Sequence, residues 1–321
     1  MNTPDRLVKW KTPIMKVRFI YYQIKFWCRK KNWNFPFHFR EYGDNKITFS
    51  DEERDQMLAN AIINEIPFFV GKFGATEMYA MRTEEFGNRR HRRKACKQLC
   101  CCAGFFPDDV NLMESFNSIM KDAAMQLDLV EKWDKPCEEY FVNKYCLELK
   151  GFCLHMGLGT DSHPWSSALK NRKVLVIHPF EDSIRKQYKK RKELFKGADI
   201  LPEFDLITIK AVQTQGDAVD SRFANWFEAL DYMKSEIDKL DFDIALIGCG
   251  AYGLPLGAYI KEKRQKVAIH LGGDVQLLFG IMGKRWEDNP RVSSLRNEFW
   301  IYPDETERPA GAGKVENGCY W

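Results

Sequence analysis

The second half of the chain alternates short, uninterrupted apolar runs with amphipathic stretches of helical period. The apolar runs predict buried strands over residues 173–178, 206–210, 243–248 and 267–270. The periodic stretches predict helices over residues 181–195, 225–240 and 252–263. Strands that alternate with helices of about ten or more residues are joined by right-handed crossovers. The pattern therefore predicts an α/β fold, with a mainly parallel sheet covered by helices on both faces.

The first half of the chain continues this pattern. Asp51 is placed to cap a helix that runs to about Ile63, and Pro67–Gly74 is typical of a short buried strand that ends in a glycine turn. Another helix begins near Thr76, and a long helical region follows over 111–133. The predicted organisation is an N-terminal extension over residues 1–45, one domain over residues 46–290 with a helical insertion around 84–165, and a C-terminal tail over residues 291–321.

The N-terminal extension contains an amphipathic helical pattern. Its apolar positions at helical spacing are Val17, Ile20, Tyr21, Ile24, Trp27 and Cys28. Basic residues surround them: Lys16, Lys25, Arg29, Lys30 and Lys31. A basic, aromatic-rich helix of this kind can lie in a membrane interface, attracted by anionic lipid. It can equally pack on the main domain, so peripheral membrane contact through residues 16–31 is one of two interpretations.

Charge is distributed unevenly along the chain. Residues 1–40 carry ten Lys and Arg against one acidic residue, whereas the remaining residues carry 39 basic and 44 acidic side chains. Nucleic-acid binding by the body of the protein is not expected, because such binding usually needs a basic face on the fold. A local basic run over Arg89–Lys94 fits either a solvated helix face or a contact with phosphates.

The composition, with 45% hydrophobic and 29% charged residues among 321, is that of a globular protein. The longest stretch without a charge, Ile244–Ile260, is broken by glycines and a proline and does not resemble a membrane span of about 20 apolar residues. No secretory signal is recognisable, because charges recur from Asp5 to Lys31. The ten cysteines are therefore expected to be reduced and the protein cytoplasmic. Cys96 and Cys100–Cys102 follow no two-pair zinc spacing.

The motif with the most explicit chemistry is a G-x-G-x-x-G turn formed by Gly248, Gly250 and Gly253, with Tyr252 inside it. It follows a predicted strand and opens a helix, where backbone N–H groups can hold a phosphate. A dinucleotide site also needs an acidic residue at the end of the next strand, and His270 stands there. The turn therefore favours a mononucleotide over NAD, and close strand–helix packing is the alternative explanation.

Other candidate residues follow predicted strands. His178 and His270 end two of them, the second followed by Gly272 and Gly273, at the sheet edge where ligands bind in open α/β folds. The segment from Gly71 to Glu77 follows another strand and includes Lys72 and Gly74. A carboxylate one turn into a helix can bind a metal, act as a base or hold a sugar hydroxyl, and it can also simply stabilise the helix dipole.

Several blocks of sequence then occur in a fixed order: Gly71–Glu77, Ala103–Pro107, Lys173–Phe180, Gly250–Leu256, and His270–Gly273 with Gly283–Trp286. Over about residues 60–290 these blocks resemble the bacterial polysaccharide-biosynthesis proteins related to GT-D-fold glycosyltransferases. The resemblance implies a Rossmann-like domain that transfers a sugar from a nucleotide diphosphate sugar to a glycan or lipid-linked glycan acceptor. It also implies a cytoplasmic protein, working at the inner face of the plasma membrane where the acceptor is lipid-linked.

The resemblance also implies a metal, held in related proteins by an Asp-x-Glu pair on the donor diphosphate. Glu77 matches the Glu of that pair, but Ala75 replaces the Asp and Lys72 replaces an Arg. A divalent metal (Mn or Mg) at Glu77 is therefore doubtful, since losing one carboxylate weakens an oxygen-ligand site. Lys72, the Gly248–Gly253 amides or His270 could balance the diphosphate charge instead.

A transferase also needs a group that accepts the proton of the acceptor hydroxyl. The candidate bases, in order of preference, are Glu77, Glu181 and Asp217. Two other functions stay open. The glycine spacing permits an NAD(P)-dependent oxidoreductase, and Ala75 permits a catalytically impaired nucleotide-binding scaffold of a polysaccharide gene cluster.

Overall fold

The computed structural model describes residues 47–133, 135, 137–154, 156, 164–195 and 199–321, together with positions 17, 20, 21, 24, 28, 31 and 33. Of the predicted amphipathic helix, Val17, Ile20, Tyr21, Ile24 and Cys28 are described, and all five are helical. The rest of that prediction lies outside the described residues. Within the described part of the chain, no helix combines the length and the apolar character needed to cross a membrane.

Eight strands form one sheet: β1 (Ile47–Thr48), β2 (Phe68–Gly71), β3 (Leu129–Glu131), β4 (Gly151–Cys153), β5 (Lys173–His178), β6 (Asp205–Lys210), β7 (Ile244–Ile247) and β8 (Val267–His270). Their order across the sheet is β1-β4-β3-β2-β8-β7-β5-β6, and every pairing is parallel. The predicted parallel α/β architecture is confirmed.

The α-helices of the described residues are α1 (Asp51–Ile63), α2 (Ala75–Phe86), α3 (Arg89–Ala103), α4 (Met113–Ala124), α5 (Glu138–Tyr145), α6 (Glu181–Tyr188), α7 (Arg191–Leu194), α8 (Trp226–Asp238), α9 (Gly253–Tyr259), α10 (Asp274–Leu278) and α11 (Pro290–Leu295). A π-helical turn, Ile260–Arg264, continues α9. Short 3₁₀ turns precede α4 and α9.

The sheet is buried on both faces because successive side chains of a strand point to opposite sides. In β5, Leu175 and Ile177 pack in a core shared with helices α2, α3, α4, α5, α8 and α9. Val174 and Val176 pack in the other core, with helices α1, α6, α7, α10 and α11. Burial on both faces explains why the strands appear in the sequence as continuous apolar runs instead of alternating ones.

Some elements differ from the sequence predictions. The region predicted as a helical insertion contains α3, α4 and α5 but also contributes β3 and β4 to the sheet. The helix predicted over 111–133 ends at Ala124, and β3 follows it. β3 and β4 have three residues each, which is too few to show a recognisable strand pattern in the sequence. At α1 the cap is Ser50, which accepts the Glu53 N–H at 3.2 Å, while Asp51 pairs with Arg54 inside the helix.

The residues after β8 fold back along the sheet. Trp300 is buried, and its indole N–H donates to the Leu194 carbonyl at 3.0 Å. Glu307 is also buried, and it accepts the backbone N–H of Asp182 at 2.8 Å, at the start of α6. These contacts bring the final segment of the chain to the carboxyl ends of the strands.

Candidate active site

A cleft lies at the edge of the sheet where neighbouring central strands end. Lys72, Pro179, Gly248 and Gly272 follow the ends of β2, β5, β7 and β8, and all four line this cleft. Ligands of open α/β proteins bind in this position, outside the carboxyl ends of the strands. The enclosed volume is about 150 Å³.

The glycine turn after β7 forms one wall of the cleft. Gly250 has a φ of +58°, in the region that favours glycine. A side chain at Gly248 would begin 2.5 Å from the carbonyl oxygen of Gly272, so the turns after β7 and β8 touch here. The glycines thus allow the two turns to pack closely together. In this arrangement the backbone of Gly248 and Gly250 lines the cleft.

His178 and His270 are buried in the cleft wall. Burial lowers the pKa of His178 to about 3, and burial together with the charge of Lys72 lowers the pKa of His270 to about 4. Both rings are therefore neutral at pH 7. The Phe180 N–H donates to His178 Nδ1 at 3.0 Å, which leaves the ring proton on Nε2. His270 Nδ1 lies 3.2 Å from the Ile247 carbonyl and so carries its proton, which leaves Nε2 as an acceptor.

Lys72 lies between two carboxylates. Its Nζ is 2.9 Å from Asp274 Oδ2 and 3.2 Å from Glu131 Oε2, and it sits 4.6 Å from the centre of the Trp133 ring. Burial opposes the charge, but the two carboxylates outweigh it and raise the pKa of Lys72. The ammonium is thus already neutralised by protein groups, and it joins β2, β3 and α10 at the floor of the cleft.

Glu77 lies in the first turn of α2, with its carboxylate buried in the cleft wall. Burial raises the pKa of this carboxyl. Hydrogen bonds from its own backbone N–H and from Thr76 Oγ1, at 3.0 Å, oppose that rise, and the nearby charge of Glu316 adds to it. A raised pKa makes the Glu77 carboxylate a stronger base than an ordinary one.

The C-terminal segment, residues 312–321, covers the cleft, which sequence reasoning did not anticipate. Its Glu316 forms an ion pair with Arg285, whose Nη1 donates to the Tyr320 hydroxyl at 3.0 Å. The Arg285 guanidinium also lies 4.6 Å from the centre of the Tyr320 ring. Trp321 lines the cleft beside these residues. The adjacent aromatic residues at the end of the sequence are the signal that could have indicated this role.

The structure brings together nine of the residues predicted for the site: Lys72, Gly74, Glu77, His178, Gly248, Gly250, His270, Gly272 and Gly273. Gly71 and Gly253 lie behind the cleft wall, the first in β2 and the second against the His270 ring. Tyr252 is buried in the core, where it stacks on Trp226 with ring centres 5.2 Å apart.

Two of the predicted bases lie outside the cleft lining. Glu181 opens α6, where it accepts from Thr208 and pairs with Arg185 at 3.0 Å. Asp217 is exposed and pairs with Lys314 at 2.7 Å. Of the three candidate bases, Glu77 is the one that lines the cleft.

The residues around Glu77 do not fit the metal site that the sequence resemblance implies. Position 75 offers a methyl group, and the Glu77 carboxylate is folded back so closely that a side chain at Gly74 would begin 2.0 Å from its Oε2. Among the described residues, three potential His, Cys, Asp or Glu ligand atoms gather only at Cys96, Cys100 and Asp108, none of which lines the cleft.

The fold is that of a Rossmann-like α/β protein with a cleft at the strand ends. A family model of GT-D fold-like domains matches residues 55–278, well over half of the chain. The protein therefore belongs to the family of GT-D fold-like domains, and the predicted resemblance of the sequence blocks to GT-D-fold proteins is confirmed.

No curated protein matches the chain. One solved structure that matches the chain is described as "The highly conserved domain of unknown function 1792 has a distinct glycosyltransferase fold". It shares 12% identity with this chain, and the match covers 70% of this chain and 82% of that one, with a TM-score of 0.31. The family membership rests on the match over residues 55–278.

Proposed function

We propose that this protein is a glycosyltransferase that moves a sugar from a nucleotide diphosphate sugar to a glycan or lipid-linked glycan acceptor. The observation that carries the proposal is the cleft of a GT-D fold-like domain. The glycine turn and the buried Glu77 both line this cleft, at the carboxyl ends of the strands. Bacterial surface polysaccharide is the product class that the sequence blocks suggest.

In this reaction the acceptor hydroxyl oxygen bonds to the anomeric carbon while the bond from that carbon to the diphosphate breaks. The electron pair leaves with the nucleoside diphosphate, and the hydroxyl proton passes to a base. Negative charge therefore builds up on the diphosphate, and preorganised donors are needed to stabilise it. The Gly248 N–H already donates to the Ile177 carbonyl at 2.9 Å, so the backbone N–H groups that follow it in the turn, near Gly250, and the Nε2–H of His178 are the neutral donors for that task.

A cation is also needed for the diphosphate, and Arg285 is better placed than Lys72 to supply it. Lys72 is held by Asp274 and Glu131, whereas the partner of Arg285 is Glu316, in the segment that covers the cleft. We therefore assign Lys72 a positioning role and Arg285 the charge-balancing role. Glu77 is the proposed base, because burial raises the pKa of its carboxyl.

A lipid-linked acceptor would be used at the cytoplasmic face of the plasma membrane. Support for contact with that surface comes from the extension, where Val17, Ile20 and Ile24 are helical and exposed. Exposed apolar side chains on a basic helix are typical of interfacial segments.

The first experiment is a thermal-shift panel with nucleoside diphosphates, nucleotide sugars and NAD(P)H, each with and without manganese. A ligand at a hundred times its dissociation constant stabilises a protein by about 2.7 kcal/mol. Stabilisation by a nucleotide sugar, and not by NAD(P)H, is the expected result, and it would name the donor. Stabilisation by NAD(P)H alone would contradict the proposal.

The second experiment tests Glu77 with the donor found in that panel. We expect Glu77→Gln to bind the donor and to lose sugar transfer by about 10²–10⁴-fold, the usual contribution of a general base. Glu114→Gln, at an exposed position of α4, is the matched control and keeps full activity. Full activity of Glu77→Gln would remove Glu77 from the mechanism.

A further inference from the structure

Helix α3 presents an exposed face made of cations. Arg89, Arg90, Arg93, Lys94 and Lys97 recur at the spacing of one helical face, and all five are exposed. They border one broad, open depression. We call this set the α3 basic face.

The charges of this face are largely unbalanced. Arg93 pairs with Asp108 at 3.0 Å, while the other four cations have no acidic partner within the part of the chain that the structure describes. The helix also begins with Arg89 and Arg90 and has no acidic residue in its first turn. A helix N-terminus favours negative charge, so these arginines oppose local helix stability. Residues that break a local rule without a compensating contact are expected at functional surfaces.

We propose that the α3 basic face binds the surface of an anionic lipid bilayer. A cluster of Lys and Arg is attracted to anionic headgroups, and a broad face can place several cations on a plane at once. Nucleic acid is the less suitable partner, because residues 41–321 carry 44 acidic against 39 basic side chains. The other basic region of the chain carries exposed apolar residues, Val17, Ile20 and Ile24, which suit lipid and not a phosphodiester backbone.

The basic face leads along α3 to the cleft. Arg93, Lys97 and Cys101 follow one another at intervals of one turn. The Cys101 thiol donates to the Lys314 carbonyl at 3.6 Å, in the segment that covers the cleft, and Cys102 lines the cleft itself. Binding of this face to a bilayer would therefore hold the cleft close to the lipid surface. That consequence rests on the proposed function, whereas the lipid contact itself does not.

The test is co-sedimentation of the full-length protein with vesicles of phosphatidylcholine, alone or mixed with phosphatidylglycerol. The test variant carries Arg89→Gln, Arg90→Gln, Lys94→Gln and Lys97→Gln. The matched control carries Lys186→Gln, Lys189→Gln, Lys190→Gln and Lys192→Gln, which removes the same charge from an exposed surface around α6 and α7. Both variants keep the basic extension, so its contribution is constant.

Each cation at the surface contributes a factor of about five to binding, so loss of the four cations lowers the partition coefficient by roughly several hundredfold. We expect that fall for the α3 variant on phosphatidylglycerol vesicles, a small change for the control, and weakening by salt. Equal binding of the variant and the wild type, or equal loss in the control, would overturn the proposal. So would tighter, α3-dependent binding to an oligonucleotide at the same salt concentration.

The readout needs no sugar transfer, so its outcome is separable from that of the proposed function. If vesicle binding depends on α3 but the protein binds no nucleotide sugar, the proposed lipid contact is supported and the proposed glycosyltransferase function is rejected.

Discussion

The imidazole of His270 fills the space that a side chain at position 253 would need. A Cβ added to Gly253 would lie 2.1 Å from Cε1 and 2.3 Å from Nδ1 of His270. Position 253, the third glycine of the G-x-G-x-x-G turn, therefore has no room for a side chain because the His270 ring from the next strand occupies that space. In turn, the absence of a side chain at Gly253 makes room for His270, which stands where a dinucleotide site has an acidic residue.

Gly253→Ala should destabilise the protein because neither the ring nor the backbone of α9 can move freely in the core. Overpacking of a core costs about 1–3 kcal/mol. Gly313→Ala is the matched control, since nothing lies within 4 Å of its added Cβ, and we expect a change below about 0.5 kcal/mol there. Urea unfolding measures both. Equal stability of Gly253→Ala and the wild type would show that the His270 ring is not held at this position.

The two buried histidines predict how stability depends on pH. Their pKa values are lowered from 6.5 to about 3 and about 4, so between pH 6.5 and 4 the unfolded chain binds protons that the folded protein does not. Stability contributed by the neutral rings is complete above pH 6.5 and is lost as the pH falls below it. The slope is about 1.4 kcal/mol per pH unit for each histidine.

Unfolding by urea at several pH values tests this slope. The double variant His178→Gln with His270→Gln should show a flatter profile between pH 6.5 and 4 than the wild type. Identical profiles for the wild type and the double variant would mean that the rings become protonated in the folded state.

Lys72→Met should destabilise the protein by about 3–5 kcal/mol, because removing one member of a buried ion pair leaves charge without a partner. Glu131 is buried and Asp274 is partly buried, so both lose the cation that holds them. Adding Glu131→Gln to Lys72→Met should recover part of the loss. Denaturant unfolding distinguishes the cases, and a loss under about 1 kcal/mol in the single variant would contradict the positioning role.

The cleft holds about 150 Å³, less than the roughly 300–1,000 Å³ of usual small-molecule sites, so we expect the C-terminal segment to move when a nucleotide sugar enters. Glu316→Gln removes the anion that pairs with Arg285. We expect inorganic pyrophosphate to bind about fivefold more tightly to this variant, for an ion pair worth about 1 kcal/mol. Calorimetric titration measures this difference.

Glu305→Gln is the control for that titration, because Glu305 pairs with Arg308 on the exposed surface at 3.7 Å. It should bind pyrophosphate like the wild type, and Arg285→Gln should bind it more weakly. If Glu316→Gln binds pyrophosphate no more tightly than the wild type, Arg285 is not the residue that balances the phosphate charge.

The strands in the second half of the chain are determined by local sequence. β5 and β8 have the bounds that their apolar runs predict, Lys173–His178 and Val267–His270. A strand buried on both faces needs apolar residues at every position, and that requirement is visible without knowledge of its neighbours. The positions of the glycine turn and of the two histidines at the sheet edge could be predicted for the same reason, because a predicted strand end also locates the residues beside it.

Tertiary structure alone decided how the charges of the cleft are paired and what covers it. Lys72 and Asp274 are 202 positions apart, yet their ion pair removes Lys72 from the charges free to meet a ligand. The sequence likewise offers Glu77, Glu181 and Asp217 as candidate bases in that order of preference, and only the path of the chain places the first in the cleft lining. Local sequence sets periods and turns, whereas contacts between distant residues depend on the order of strands in the sheet.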